Sequence, residues 1–588
     1  MVVGESPGAN HAIARLPTAV TAFIGRTLRG PVNRPVAVRS FADFQQVFGG
    51  LWQASPLPYA VEQFFENGGR RAVIVRLRNG GRSATLTLPC GDQALTLEAL
   101  SPGSREALRA SVDYDNIGPN EEDRFNLVVQ RVRSFGSEHI EDQEIFRRLS
   151  VVPGTARYVL TALQESTLVR VLGLVPAQRP DRTFRAGSRH PIGYVVSNPD
   201  GDDGEPLTDY DLIGSPERGT GLFALRAAED LHFVCIPPPA RDRDVGPSVL
   251  VVAARLCREL RAMLIVDPPA TWETCDQALQ GLRELDFQSG QALMCFPRIQ
   301  AYDRLRGRYE TFANCGAVAG VLARLDEQHS PWQPGPDDEL LLRPGTRATL
   351  VLTEAERARL VAHGINPLQS LRSANPQSRE LRTLAGGAGR SSDSALLTPR
   401  RRALLIMNSI VRGTRWAVFE AADRRTWLRV TRQVQEFLQP LEEAGLFGPA
   451  GEDKSVQVVC DDRINSAEDV AAGRVNILVG LRSARAGEHR SFLVTHSPEG
   501  SRVRPVRSNW LPAGTRMTVQ DVTEPAASVT PHPRTLAQEL FGHYAEPRPD
   551  NSSSSAAERW SETSTTGRFD LDAVSRFHAD FGRSGQGL

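Results

Sequence analysis

"FFENGGRRAVIVRL", Phe64 to Leu77, decides the fold class. It reads as the end of an apolar helix, a glycine pair, and then a strongly apolar strand. Glycine-rich turns that cradle phosphate run in the opposite order, strand before helix, because the anion sits on the free N–H groups of a helix N-terminus. Here the helix comes first. Asn67-Gly68-Gly69 therefore lies at a helix C-terminus, where left-handed residues cap the last carbonyls. The glycines join a helix to a sheet strand.

Upstream, "TAVTAFIGRT" (Thr18 to Thr27) reads as a buried strand, "GPVNRP" (Gly30 to Pro35) as a turn and "PVAVRS" as a second strand. Ser40 with Asp43 resembles a capping box that opens the short helix "FADFQQVFGG". A helix over Pro58 to Asn67 leads into the strand Arg70 to Leu77. Downstream, from about Gly80 to Val175, the runs "ATLTLP", "ALTLEAL", "RASVDY", "FNLVVQRV" and "TLVRVLGLV" alternate and are broken by turn residues, which predicts a small β-sandwich. Pro176 to Pro206 reads as a solvated loop, since "NPDGDDGEP" lacks the spacing and closing glutamate of a calcium loop.

Between residues 231 and 326 strands and helices alternate: "LHFVCI", a helix over Val249 to Arg261, "AMLIVD", a helix near Cys275 to Leu285, "ALMCF", and a helix over Cys315 to Leu325. That succession predicts a mostly parallel sheet covered on both faces. Its strand ends read "PPP", "DPP" and "FP"; proline has no N–H to offer a phosphate, so a dinucleotide site is not expected. "LAGGAGRSSDSALLTPRRR" (Leu384 to Arg402) reads as a linker. Then come helix "RRALLIMNSIV", strand "TRWAVFE" and a long helix from near Asp423, whose Trp427, Val430, Val434, Phe437 and Leu441 share one face. Strands "SVQVVCD", "RVNILVG" and "SFLVTH" finish at about Val503.

The predicted chain is thus multi-domain, α/β and α+β. It has an N-terminal arm (1–17), a central β/α domain assembled from 18–80 and 205–385, and an inserted all-β module (81–180). A linker (386–402), a C-terminal α+β domain (403–510) and a polar, serine-rich tail (511–588) follow; the tail is expected to be disordered.

The composition argues against most chemistry. With 69 basic and 69 acidic residues there is no global case for a nucleic-acid partner. No run of eighteen apolar residues predicts a membrane span, and the first thirty residues lack the pattern of a Sec signal. The only lysine, Lys454, sits in "GPAGEDKSVQ", outside a Walker frame, so neither a phosphate-loop nor a Schiff-base lysine is expected. Seven cysteines without a C-x-x-C pair read as buried, reduced and apolar. His232 reads as a satisfied core histidine. Asp267 ends a strand where α/β enzymes place catalysts, with no partner group in view. No catalytic, metal or cofactor site is expected. Arg425, Arg429 and Arg432, at i, i+4 and i+7, form one stripe of the long helix. It is either a solvated face or a docking surface for carboxylates.

These segments, in this order, resemble the contractile tail sheath family of bacteriophage tails and related injection particles, over roughly residues 16 to 505. "LPTAVTAFIGRTLRGP" and "SFADFQQVFGG" are similar to the family's entry, and "FFENGGRRAVIVRL" to its Asn-Gly-Gly strand signature. "RGTGLFAL", "VCIPPP", "LIVDPP", "CGAVAGVLARLD" and "HGINPLQSLR" follow in family order. "RRALLIMNSIV", "RWAVFEAADRRTW", "QEFLQPLEEAGLFG" and "NSAEDVAAGRVNILVGL" resemble its C-terminal domain.

The resemblance implies a subunit that polymerises into a helix of six-fold rings around an inner tube. The lattice is held extended and collapses to a shorter form when a baseplate triggers it, with the energy stored as a difference between two packings. Terminal arms would add strands to neighbouring C-terminal domains. The C-terminal domain would face the tube, which makes Arg425, Arg429 and Arg432 candidate tube contacts. Implied partners are further copies of the chain, an inner tube protein, baseplate proteins and tail-terminator or cap proteins, with neither nucleic acid nor direct membrane insertion. Assembly would be cytoplasmic, ahead of life in a phage tail or a released particle. A type VI sheath is split into two chains; one chain carrying both regions favours a phage tail, a tailocin or an extracellular injection particle. Two departures stand out. The arm "GESPGANHAIARLP" lacks the family's β-rich start, and 511–588 runs past the usual end. The competing readings are a non-contractile baseplate or scaffold protein and, on fold alone, an α/β enzyme.

Overall fold

A computed structural model describes residues 12–16, 18–183, 193–329, 340–369, 381–385, 395–447, 455–482, 489–508 and 519–521. They belong to one compact unit, Met1–Ala527; a second unit, Ser528–Leu588, lies outside the described residues.

The opening stretch behaves as its order of parts requires. The helix Leu57–Glu66 ends on Asn67, whose side-chain amide donates to the Gln63 carbonyl at 2.9 Å. Gly68 takes the left-handed turn at φ 116°. Gly69 sits so close to the buried Phe64 ring that a Cβ there would fall inside it. The chain then enters the strand Ala72–Arg76, buried at every position, as expected where both faces of a parallel sheet are covered. That strand lies beside Thr21–Gly25 in a seven-stranded sheet ordered Ile365–Pro367, Ala292–Phe296, Met263–Val266, Phe233–Cys235, Thr21–Gly25, Ala72–Arg76, Val36–Val38. All neighbours run parallel except the last pair.

The alternating runs form two small sheets. Thr85–Cys90, Gln93–Ala99 and Val169–Leu172 make one; Val195–Val196, Ala107–Asp113, Arg124–Val132 and Ile140–Ser150 make the other. Leu86, Leu88, Leu95 and Leu97 from the first meet Ala110, Phe125 and Leu127 from the second in one apolar core. The stretch read as a solvated loop is more structured than expected. Val195–Val196 pairs with Arg109 and Ala110, and further on Arg82 faces Asp202 and Asn79 faces Glu205. The two chain crossings into this sandwich therefore run side by side as a neck. Buried Arg76 clasps its base, donating to the carbonyls of Gly30 at 2.8 Å and Pro102 at 2.6 Å and to the Ser101 hydroxyl at 3.1 Å.

A third small sheet, Ile299–Asp303, Arg308–Phe312 and Thr346–Ala348, was not expected from the sequence. Towards the C-terminus the helix Leu397–Thr414 begins inside the expected linker, because Leu397 and Leu404 are buried in the central core. "TRWAVFE" is not a strand. The helix runs on into a 3-10 turn, Arg415–Phe419, tied to the next helix by Trp416 Nε1 donating to Gln433 Oε1 at 2.9 Å. The helix Arg424–Glu443 then packs on a five-stranded antiparallel sheet ordered Val456–Val459, Val475–Arg482, His489–Ser497, Gly500–Ser508, Val519–Asp521. The last of these lies inside the tail expected to be disordered, and it pairs with residues 506–508 of the C-terminal domain. The rest of that expectation, the linker residues 386–394 and Lys454 lie outside the described residues. Of the N-terminal arm, Ile13 is buried in the apolar cluster of this C-terminal region, with Leu405 and Ile410.

Candidate interaction surface

Asp423 opens the helix Arg424–Glu443: its Oδ1 accepts from the backbone N–H groups of Arg425 and Thr426, both at 2.9 Å. Those bonds, Thr426's first, hold its carboxyl below the usual range. Val430, Val434, Phe437 and Leu441 face inward on Ile477, Val479 and Val494, the face expected from their spacing, while Trp427 is half-buried at its margin.

The opposite face is exposed and carries Arg425, Arg429 and Arg432 on one stripe. They are not equivalent. Arg429 is ion-paired with Glu420 and lies over the Trp416 ring at 4.5 Å, which leaves about half of its side chain exposed. Arg425 and Arg432 have no ion-pair partner among the described residues. Sequence reasoning missed two apolar members of this surface, Leu428 at 60% exposed and Phe419 at 83%. A helical wheel places Leu428 three residues after Arg425 and four before Arg432, inside the stripe; nothing local marks Phe419, which the mistaken strand reading hid.

The charges of this helix run against its own dipole. Arg424 and Arg425 stand in the first turn, at the positive end, and Glu442 and Glu443 in the last, at the negative end. Each misplaced terminal charge costs about 0.3–1 kcal/mol at an exposed site. Arg432 and Glu436 stand four apart in the weaker order, arginine first.

The remaining candidates are structural. Asp267 Oδ1 accepts from the N–H groups of Asn314 at 2.8 Å and Cys315 at 2.7 Å, the start of the helix Cys315–His329. Burial pushes this carboxyl up, and the group anchors a helix. His232 is buried just before the strand Phe233–Cys235, but it is not the satisfied histidine expected: neither ring nitrogen has a hydrogen-bond partner among the described residues, and burial lowers its pKa to about 4. The imidazole is neutral. All seven cysteines are free and buried. Among the described residues no three or more His, Cys, Asp or Glu gather as metal ligands, and no helix is long and apolar enough to cross a membrane.

Further buried charges gather where the Ile299–Asp303 hairpin meets the helix Leu57–Glu66. Tyr59 donates to Asp303 Oδ1 at 3.1 Å and Arg241 to Oδ2 at 2.6 Å. Glu62 is buried, its Oε1 without a hydrogen bond among the described residues and 3.6 Å from Arg304; burial, then the neighbouring Glu66, raises its pKa to about 7.

No family model matches the chain. A curated Pseudomonas aeruginosa (strain UCBPP-PA14) protein, provisionally named a prophage major tail sheath protein, is 25% identical over 244 residues, 41% of this chain and 59% of the relative. The chain thus aligns with less than two thirds of that relative's length. The crystal structure of a sheath tail protein from Listeria innocua superposes with a TM-score of 0.53 at 15% identity, over 81% of this chain and 94% of the other. A sheath complex of an extracellular contractile injection system, in its contracted state, gives a TM-score of 0.45 at 14% identity, over 83% of this chain and 96% of the other. The resemblance to the tail sheath family is therefore borne out: this chain is similar in sequence to a tail sheath protein over part of its length, and it shares the sheath fold over most of it.

Proposed function

We propose that this chain is the structural subunit of a contractile sheath. Copies polymerise helically, as six-fold rings, around an inner tube. The extended lattice collapses on a baseplate signal and drives the tube through a target envelope. One observation carries this reading: sequence segments in sheath order coincide with a sheath fold that covers 81% of the chain. Subunits assemble in the cytoplasm and end in a phage tail or a related particle. The long C-terminal helix faces the tube, with Arg425, Arg429 and Arg432 on carboxylates. The outer side of the strand Val456–Val459 carries no strand among the described residues, so a neighbour's arm has an edge to extend there.

Electron microscopy of the full chain, expressed with and without the tube protein of the same particle, tests the proposal. Striated cylinders, short when alone and extended around tubes, are expected. Stable monomers in both preparations would overturn it and favour a scaffold role.

A further inference from the structure

We infer that the hairpin Ile299–Asp303 and Arg308–Phe312 is a pH-sensitive clasp, docked on the helix Leu57–Glu66 while Glu62 holds a proton and released at its tip when Glu62 ionises. Two side chains fasten the hairpin to the helix. Phe312 stacks on Tyr59 with ring centroids 5.0 Å apart, and fully buried Asp303 accepts from Tyr59 and Arg241. Asp303 also caps the hairpin turn, its Oδ1 accepting from the Leu305 N–H at 2.9 Å and its carbonyl from the Gly307 N–H at 2.8 Å. Its charge is compensated: against the cost of burial, Arg241 and the Leu305 N–H hold the carboxyl below the usual range.

Glu62, three residues after Tyr59, has no such support. It is 8% exposed, and its ion-pair partner Arg304 is shared with Glu66 at 3.5 Å. Arg241 is committed to Asp303 and Glu310, Arg306 and Arg308 also pair with Glu310, and Arg343 donates to the Glu66 backbone carbonyl at 3.4 Å. With Glu62 ionised, the carboxylates of Glu62, Glu66 and Asp303 share what Arg304 and Arg241 supply. A buried charge so placed is relieved by water. The helix cannot yield, because Leu57 to Phe64 are all buried. The turn can: the Arg304 side chain is 65% exposed. As the tip lifts, Glu62 is hydrated, Asp303 leaves Tyr59 and Arg241, and the turn amides that it caps open. Tyr302, Leu305 and Tyr309, each about half exposed, ride on the hairpin, so release moves an aromatic patch of the surface. The docked state binds the proton more tightly, so opening increases as pH rises.

Amide hydrogen exchange of the full chain, corrected for the intrinsic rate at each pH, reads the opening. Between about pH 6 and about pH 8.5, protection of the Leu305 and Gly307 amides should fall about tenfold. That is the ratio linkage gives for a carboxyl that passes from about 7 to 4.5 on opening. Glu62→Gln, with no proton to lose, should show no such fall. Tyr59→Phe, which removes one tether and keeps Glu62, should exchange faster at both values and retain the dependence. Release of a turn exposes little surface, so the parent's rates there should be indifferent to about 1 M urea. An equal fall in Glu62→Gln, or none in the parent, overturns the inference. So do turn amides whose exchange climbs with urea in step with the strand Ala72–Arg76, because the opening is then global unfolding.

Discussion

Gly69 shows how narrowly one residue ties helix to sheet. Its missing Cβ is what lets the chain pass the Phe64 ring, which is fully buried. Gly69→Ala should cost about 1–3 kcal/mol, in the range of overpacked cores, and denaturant midpoints would show it; a loss under about 0.5 kcal/mol would mean that the ring moves aside. Glu62 makes a pH-dependent case. Its folded pKa of about 7 lies above the ordinary glutamate value of 4.5. Between those values the folded state holds a proton that the unfolded state has released, so stability falls as pH rises through the window, and the cost is complete above it. Glu62→Gln should therefore stabilise by about 1–2 kcal/mol near pH 8 and by almost nothing near pH 4. Thermal melts at the two values check this; an equal gain at both would place the effect in packing. His232 pulls the other way. Its pKa falls to about 4 from 6.5, so the unfolded state binds the extra proton and stability is lost on acidification through that window.

At the scale of elements, Asp267 replaces what the N-terminus of the helix Cys315–His329 cannot supply for itself. Truncating it strands the two N–H groups of Asn314 and Cys315, so Asp267→Ala should cost about 2–4 kcal/mol. Asp267→Asn, which keeps an acceptor without a buried charge, should cost far less. Equal losses in chemical denaturation would show that the charge itself matters. Sequence reading served such elements well where the signal was local. The all-buried strand Ala72–Arg76, the caps Ser40 and Asp423 and the stripe from Val430 to Leu441 all follow from periodicity or capping chemistry. Even there the box at Ser40 opens by one residue: the Asp43 carboxylate bonds Arg39 N–H in place of Ser40 N–H. Illegible elements depend on distant partners. The strand Val195–Val196 is two residues long and exists because Arg109 and Ala110 offer an edge. Val519–Asp521 stands likewise on residues 506–508. Arg415–Phe419 has the composition of a strand, but the preceding helix and Gln433 hold it as a turn. The arginine stripe was legible as a pattern; that Arg429 is already half-engaged by Glu420 and Trp416 was not, since both contacts come from outside the helix.

The whole described unit hangs its β-sandwich on a neck whose two crossings already hydrogen-bond each other, Arg82 N to Asp202 O at 3.1 Å and Asp202 N to Arg82 O at 2.9 Å. Replacing residues 83–201 by a two-residue Asn-Gly turn should close that pair as a hairpin and leave the rest folded. Arg76 would lose Ser101 and Pro102 but keep the Gly30 carbonyl, a penalty of about 1–3 kcal/mol. A cooperative melt at slightly lower temperature is expected; loss of a cooperative transition would mean that the sandwich core supports the parallel sheet. The five-stranded sheet has a different consequence. Its outer strands are four and three residues long, and the three-residue one covers only part of Gly500–Ser508, where Pro505 removes one donor from the edge. In the language of polymer chemistry, the described residues of each unit carry one open valence at Val456–Val459 and a second that is only lightly masked. Monomers with one valence stop at pairs and monomers with two make threads. A fabric requires a third linkage of another kind, and the helix that carries Arg425 and Glu443 faces outward, free to provide it.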